Sequence, residues 1–479
     1  MTQRVFTSDD QLVFAELSGD FNPLHLDPVL ARRLVFGRQL VHGLHALLWS
    51  LDFHLKHQTQ PLELRTVKAN FQAGIGVGQT VHCRVSLQDD NQVAVQLETD
   101  STPAAWIEIT WRPLRQQRTG ALPKMSLEPE KCRKRSIEEL ATASGTVALY
   151  FNGGLAGRLF PNLIRVLPPM QLAALLATTR LVGMECPGHH SIYSSLYLVF
   201  VSNRDGAASL NYHVTDCNKR LALVALDVEA PEMKGQVKAF LRPLPQRQAA
   251  FTDICRQVEP EEFSTQQALI VGGSRGLGEV TAKLLAAGGA EVILTYYRGE
   301  QDAQCIVKEI VAHGAQADCL PLNVLEPSQG LPEGIANPSK PLYLYYFATP
   351  YIFGAAKGKF SSQRFATFCR YYVTGLLRTV QALADPTIGL QKVFYPSSAS
   401  IDQLPLDMAE YAAAKMAGEI LCDFLQKVHP GIIIHKPRLP RVATDQTVSL
   451  LPVNNQDPGP VLLSNLRYLS RINRKNELK

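Results

Sequence analysis

The 479-residue sequence has no Cys-x-x-Cys pair, little net charge (+5) and no apolar run of the 18 or more residues that a membrane-spanning helix needs. Its nine cysteines are scattered and odd in number. They argue against a disulfide framework or a zinc site, and for reduced thiols in a cytosol-like compartment. No metal is expected. The opening residues, MTQRVFTSDD, lack an apolar signal core. Together these absences lead to the expectation of a soluble cytoplasmic protein with no membrane span. The mild positive charge is no nucleic-acid footprint by itself.

Hydrophobic residues make up 46% of the chain and charged residues 19%, which leaves ample core for about three domains. The most informative stretch is Ser18–Gly43, SGDFNPLHLDPVLARRLVFGRQLVHG. Pro23 biases Asn22 away from the α region and favours a turn. Such a turn can aim the Asp20 carboxylate and the His25 imidazole at one point. An apolar helical run, 44–55, follows, so Gly43 falls near a helix start, where backbone N–H groups lack intrahelical partners. An acid/base pair beside free amides suits proton chemistry on a thioester, whose carbonyl oxygen gains charge during reaction. Taken singly, Asp20 could cap a short helix starting near Pro23, and His25 could be a buried, hydrogen-bonded histidine.

As a whole the stretch resembles the MaoC-like (R)-specific enoyl-thioester hydratases and dehydratases, whose motif reads roughly GDxNPxHxD, a gap, then FGxxxxHG. The resemblance implies that Asp20 and His25 position and deprotonate water, or run the reverse elimination, while the Gly43 N–H holds the thioester oxygen. Strand-like segments follow at 67–71, 80–87, 92–99 and 106–111, with KANFQAGIGVGQTVHCRV similar to the family's strand–turn–strand. One helix followed by antiparallel strands matches the family's hot-dog fold, assigned to residues 1–120. The basic stretch 112–118 reads as a solvated linker.

Residues 125–250 repeat the order. A helix is expected over 168–183, with proline at its start and glycine at its end, then strands over 191–201, 207–214, 221–226 and 235–240. We read a second hot-dog copy. It has no GDxNPxH, so it reads as catalytically silent and as a wall for the acyl group. His189 and His190 read as turn and surface residues.

Residues 262–479 open with a buried-strand pattern, 268–271, running into GGSRGLG and a helix over 279–287. Gly272, Gly276 and Gly278 allow a tight turn and close approach of a pyrophosphate to the helix N-terminus, with Ser274, Arg275 and Leu277 in the same loop. The next strand, 291–297, ends in Tyr296-Tyr297-Arg298, without the acidic residue that would bind the ribose 2′-hydroxyl of NAD. Arg275 and Arg298 instead favour a 2′-phosphate, hence NADP(H). Further on, Ser398 precedes Tyr411-Ala-Ala-Ala-Lys415, with Tyr411 and Lys415 on one helix face.

GxxxGxG, then serine, then YxxxK resembles the short-chain dehydrogenase/reductase family. The resemblance implies a Rossmann fold in which Tyr411 donates a proton to the carbonyl oxygen and Ser398 holds that oxygen. Lys415 lowers the phenol pKa and binds the nicotinamide ribose. By the same resemblance Asn323 lies beside the adenine and Thr444 binds the carboxamide. Departures from the family pattern are Phe347-Ala348-Thr349, Tyr372 in place of the helix asparagine, and Leu439-Pro440.

The expected architecture is therefore a double hot-dog followed by a Rossmann short-chain reductase. The expected function is an NADPH-dependent 3-ketoacyl-thioester reductase joined to an (R)-3-hydroxyacyl-thioester dehydratase of fatty-acid or polyketide-like synthesis. Its substrate would be an acyl thioester on CoA or an acyl carrier protein, and the family resemblance implies a homo-oligomer. A hydratase–dehydrogenase of β-oxidation type and a non-catalytic acyl-binding protein are the alternatives.

Overall fold

The computed structural model describes residues 2–100, 102–114, 131–201, 207–326, 335, 339–354, 357–449 and 453–472. They divide into two units, Met1–Leu244 and Pro245–Lys479. Among the described residues no helix is long and apolar enough to cross a membrane.

In the first unit ten strands form one sheet: β1 (Thr2–Val5), β2 (Leu62–Phe71), β3 (Thr80–Asp89), β4 (Gln92–Thr99), β5 (Thr102–Pro113), β6 (Ser144–Ala148), β7 (Ser191–Phe200), β8 (Ser209–Asn218), β9 (Leu223–Ala230) and β10 (Met233–Leu241). Their order, β1-β3-β4-β5-β2-β7-β10-β9-β8-β6, runs outward in the same sense from a central seam. The seam is antiparallel β2–β7, pairing Thr66 with Val199 through Asn70 with Ser195. The two hot-dog segments are thus halves of one continuous sheet. β2 and β3, read as strand–turn–strand, are not neighbours: β2 pairs with β5 and β7, β3 with β1 and β4. The 112–118 stretch begins inside β5, and residues 115–130 lie outside the described part.

Each half wraps its sheet around a helix, Gly43–His54 in the first and Pro169–Arg180 in the second. LHALLWSL is buried on every side, the pattern of a core helix rather than an amphipathic one. The helices are tied across the halves. The Asp52 carboxylate accepts hydrogen bonds from the Asn162 and Leu163 N–H groups at 2.8 and 2.9 Å, and Gln171 Oε1 accepts from Leu64 N–H at 2.7 Å.

The second unit holds a parallel sheet of β11 (Gln267–Val271), β12 (Glu291–Tyr296), β13 (Ala317–Pro321), β14 (Leu342–Tyr346), β15 (Leu390–Phe394) and β17 (Ile433–His435). The order is β13-β12-β11-β14-β15-β17. β16 (Ser397–Ser398) and β18 (Arg438–Leu439) form a separate short pair. Successive β11 residues enter different cores, Ala268 and Ile270 one, Leu269 and Val271 the other. A sheet buried on both faces reads as the continuous apolar run seen in the sequence. The strand order reverses between β11 and β14, and that crevice at the strands' carboxyl ends is where doubly wound folds bind nucleotides. This is the Rossmann arrangement.

Candidate active sites

Asp20 follows the Ser8–Ser18 helix, which Gly19 ends in a left-handed conformation (φ +76°). Asn22, not Asp20, caps the short Pro23–Leu26 helix: its side-chain oxygen accepts from Leu24 N–H at 3.1 Å. The Asn22 amide also reaches across to the second half, donating to the carbonyls of Gly183, Gly188 and His189 at 2.9, 3.3 and 3.3 Å.

This leaves the Asp20 carboxylate for other partners. It accepts from Thr179 Oγ1 at 2.7 Å and from Asn22 N–H at 3.2 Å. It is 2% exposed. Burial lifts its pKa to about 6 against the lowering effect of Thr179, Asn22 and Arg180. His25 pairs Nδ1 with Leu40 O at 3.0 Å, which fixes the ring through that nitrogen. Burial lowers its pKa to about 4, so the imidazole is neutral at pH 7. His42 stacks on His25 with centroids 3.8 Å apart. Its own nitrogens are occupied, Nδ1 against Gln11 Oε1 at 2.9 Å and Nε2 against Asp20 O at 3.0 Å.

The ligand atoms of Asp20, His25 and His42 lie within 4.8 Å of one another. Because the His42 nitrogens already face other groups, the cluster is a carboxylate–imidazole pair with His42 as its backing. Gly43 is the first residue of its 12-residue helix, so its N–H belongs to the set without intrahelical partners. A Cβ there would come 3.0 Å from the Phe71 ring.

The second half does more than wall the site. Its helix ends in a π-helical turn, Leu181–Glu185, and the Gly183 Cα faces Asp20 so closely that any Cβ would overlap the carboxylate. Gly183 reads in the sequence as a helix-ending glycine; its use is close approach. Thr179 and Gly183 lie about 160 positions from Asp20, and no local pattern links them to it. His189 and His190 sit in the turn before β7, partly buried, their rings 4.7 Å apart.

In the second unit Gly272 (φ +83°) ends β11, and the helix Gly276–Ala287 starts within the motif, three residues earlier than the apolar pattern suggests. A Cβ on Gly278 would overlap the Gly272 carbonyl, so this contact demands glycine. The turn and the amides at the helix start leave backbone room that fits a pyrophosphate. Ser274 is buried in the loop, and Leu277 packs onto the apolar core. Thr444 is buried; its Cβ and Cγ2 would lie 3.8 Å from a Cβ on Gly276, which brings it to the glycine loop. The Asn323 side chain accepts from Leu325 N–H at 3.1 Å, shaping the turn after β13.

The two arginines differ. Arg275 is ion-paired with buried Asp445 at 2.7 Å, whereas Arg298 lies over the Tyr297 ring, 5.2 Å from its centroid. The Arg275 guanidinium is thus engaged by a carboxylate and that of Arg298 by an aromatic ring.

Ser398 is placed by the β16–β18 pair, its Oγ accepting from Ser400 N–H at 3.2 Å. Tyr411 and Lys415 stand one turn apart on the Ala409–Val428 helix. Burial pushes the Tyr411 phenol up to about 12, with Ser398 pulling it down. It brings Lys415 down to about 7. The expected depression of the phenol is therefore not what this arrangement produces; desolvation outweighs the Ser398 hydrogen bond. Lys415 Nζ donates to Pro396 O at 2.7 Å and sits 4.1 Å from the Tyr372 ring centroid and 4.8 Å from that of Tyr395. Tyr372, in a second π-helical turn, shares a 2.6 Å hydrogen bond with Thr349 Oγ1. Two of the departures from the family pattern thus touch each other.

Comparison with known proteins adds independent findings. Residues 2–105 match the MaoC like domain family and residues 266–434 the short chain dehydrogenase family. The mitochondrial 3-hydroxyacyl-(acyl-carrier-protein) dehydratase of Arabidopsis thaliana is 40% identical over 81 residues, 17% of this chain and 41% of that protein. The 3-oxoacyl-(acyl-carrier-protein) reductase of a Synechocystis strain is 41% identical over 62 residues, 13% of this chain and 25% of that one. The peroxisomal multifunctional enzyme type 2 of Drosophila melanogaster is 37% identical over 82 residues, 17% and 14% of the two chains. The chain therefore spans less than half the length of each of these relatives.

Proposed function

We propose, for a chain that belongs to the MaoC-like enzymes through its N-terminal domain and to the short-chain dehydrogenases through its C-terminal one, a single two-step role. It reduces a 3-ketoacyl thioester with NADPH and removes water from the resulting (R)-3-hydroxyacyl thioester. The observation that carries this reading is the coexistence on one chain of the Asp20–His25 pair and the Ser398–Tyr411–Lys415 group. The product of the second group's chemistry is the substrate of the first's. A synthetic setting, delivery of the acyl group on CoA or a carrier protein, and a cytoplasmic location belong to the same reading. So does a homo-oligomer, supported by the exposed stripe Met416, Ile420, Phe424 and Val428 on the Ala409–Val428 helix.

In the dehydratase site Asp20 and His25 hold one water between them. In hydration the pair removes a proton from that water, its oxygen bonds to C3, and a proton is delivered to C2; elimination is the reverse. The Gly43 N–H takes the charge that builds on the thioester oxygen. Gly183→Ala should push the Asp20 carboxylate aside and lower dehydration at least about tenfold, a loss consistent with small misplacements of a catalytic group. An unchanged thermal unfolding profile would show that the first unit's fold survives, while retained ketone reduction reports only on the second unit.

In the reductase site NADPH, when bound, supplies hydride to C3. The glycine cradle 272–278 would hold the pyrophosphate, Thr444 the carboxamide, and Arg298 the 2′-phosphate. Tyr411 gives its proton to the C3 oxygen, Ser398 orients that oxygen, and Lys415 would bind the ribose. Arg298→Ala should weaken NADPH by about tenfold and leave NADH nearly unaffected, since one charged hydrogen bond contributes about 1.5–3 kcal/mol. Equal losses for both nucleotides would remove Arg298 from this role.

The decisive assay is incubation with NADPH and a short 3-ketoacyl thioester, with products identified by mass. The enoyl product supports both steps, and hydroxyacyl product alone supports only the reductase. The same assay run from enoyl thioester with NADP+ tests the oxidative direction.

A further inference from the structure

Lys415 is 6% exposed, and its Nζ donates to Pro396 O at 2.7 Å. Burial works against its charge. Among the described residues no carboxylate pairs with it. Glu419, one helical turn on, favours the ammonium from a distance, but its oxygens are taken by Ser397 Oγ and by Arg438, whose Nε and Nη2 donate at 2.9 and 2.8 Å. Cys422, on the same helix, has its thiol pushed up to about 12 by burial and is uncharged at neutral pH. A buried charge without a paired counter-ion is costly, so another group must offset it.

What surrounds the ammonium is aromatic. Nζ lies 4.1 Å from the ring centroid of Tyr372, 4.8 Å from that of Tyr395 and 5.9 Å from that of Tyr411. Burial raises these three phenols and that of neighbouring Tyr346, so they meet the ammonium as neutral rings and not as phenolates. The negative face of such a ring attracts a cation within about 6 Å, most strongly where water is excluded.

The two nearest rings come from outside the Lys415 helix and are firmly placed. Tyr372 is bound through its hydroxyl to Thr349, stacks on Phe368 with centroids 5.8 Å apart, and meets Tyr411 edge to face at 5.7 Å. Tyr395 follows β15, and Gly418 makes room for it: a Cβ at Gly418 would overlap the Tyr395 hydroxyl. Glycine inside a helix is destabilising relative to alanine, so its use here goes with the ring it admits.

We infer that the faces of Tyr372 and Tyr395 take the place of a counter-ion for Lys415, keeping its ammonium charged and held against Pro396 O, which makes both tyrosines positioning residues of the reductase site. This rests on the reductase reading of the Ser398–Tyr411–Lys415 group.

The test uses the full-length protein with phenylalanine, or phenylalanine carrying one, two or three ring fluorines, at position 372. Fluorine withdraws charge from the ring face and nearly preserves its shape, so the fold is kept. Lysine labelled with carbon-13 at Cε, with the Lys415 signal assigned from Lys415→Arg, reads the ammonium directly. The Lys415 titration midpoint should fall stepwise with each fluorine, by about one pH unit over the series. The falling limb of kcat/KM for ketone reduction should move to lower pH with it. Tyr372→Phe, which keeps the face and loses the hydroxyl, should titrate as the wild type does. A midpoint that is the same across the series, or that rises, would overturn the inference and leave Tyr372 as apolar filling. A fall as large in Tyr372→Phe itself would overturn it in favour of the hydroxyl bond to Thr349. Tyr395→Leu compared with Tyr395→Phe tests the second ring in the same way. A fluorine-dependent midpoint in a protein that reduces no ketone would support the aromatic seat and count against the reductase reading. A reduction limb that stays put while the resonance moves would overturn the positioning role.

Discussion

Asp20→Asn should lower hydration and dehydration by roughly 10²–10⁴-fold, the range of a general acid–base group, while ketone reduction by the same protein is retained. Asparagine matches the carboxylate in shape and can still meet Thr179 Oγ1 and the Asn22 N–H, so the variant removes the proton acceptor and little else. No loss of dehydration would remove Asp20 from catalysis. The wild-type pH profile follows from the same environment. With the Asp20 pKa raised to about 6 and that of His25 lowered to about 4, the ionised carboxylate and neutral imidazole coexist only above about pH 6. kcat/KM for hydration should therefore rise through about pH 6 and level off. Addition of water neither consumes nor releases a proton, so the ratio of forward to reverse kcat/KM is independent of pH. Dehydration must then follow the same rising profile, and a kcat/KM that is flat or falls through about pH 6 would refute the ionised carboxylate as the working form.

Tyr411→Phe should have the opposite selectivity, abolishing ketone reduction by a similar factor and sparing water addition to an enoyl thioester. The phenol is buried with a pKa near 12, so it is a proton donor across the working range. The group that titrates is Lys415, brought to about 7 by burial. If its ammonium is needed, kcat/KM for reduction should fall as pH rises through about 7, where hydration has already reached its plateau. A reduction profile flat from about pH 6 to 9 would mean that Lys415 acts without its charge. Tyr372→Phe is a useful control: it retains the ring against Lys415 and deletes only the hydroxyl shared with Thr349.

What could be read from the sequence is local. The turn at Asp20–His25, the glycine at a helix start, the glycine loop after a buried strand, and Tyr411 and Lys415 on one helix face all depend on neighbours within a few residues. Strand limits were less legible where bulges interrupt alternation. β2 begins at Leu62 rather than Val67 because its register shifts between Leu64 and Thr66, so three consecutive residues are buried. β8 runs past Val214 through another shift, between Val214 and Asp216. The Ser8–Ser18 helix does carry a local signal, the capping box that Thr7 and Asp10 form at its start. Contacts across the halves left no sequence trace. Thr179 and Gly183 acquire meaning only when the sheet brings the second half to the turn of the first. The ion pair that occupies Arg275 is likewise a partnership over 170 positions.

The central β2–β7 seam also decides what can be cut from this protein. A fragment ending at residue 114 would expose β2 as an open edge, a template for aggregation, and would strip Asp20 of Thr179 and Asn22 of its three carbonyl partners. The smallest transplantable piece is therefore residues 1–244, not the conventional single-motif domain. In architecture it is a dimer written into one chain: one half carries the acid–base turn, and the other carries the groups that hold it in place.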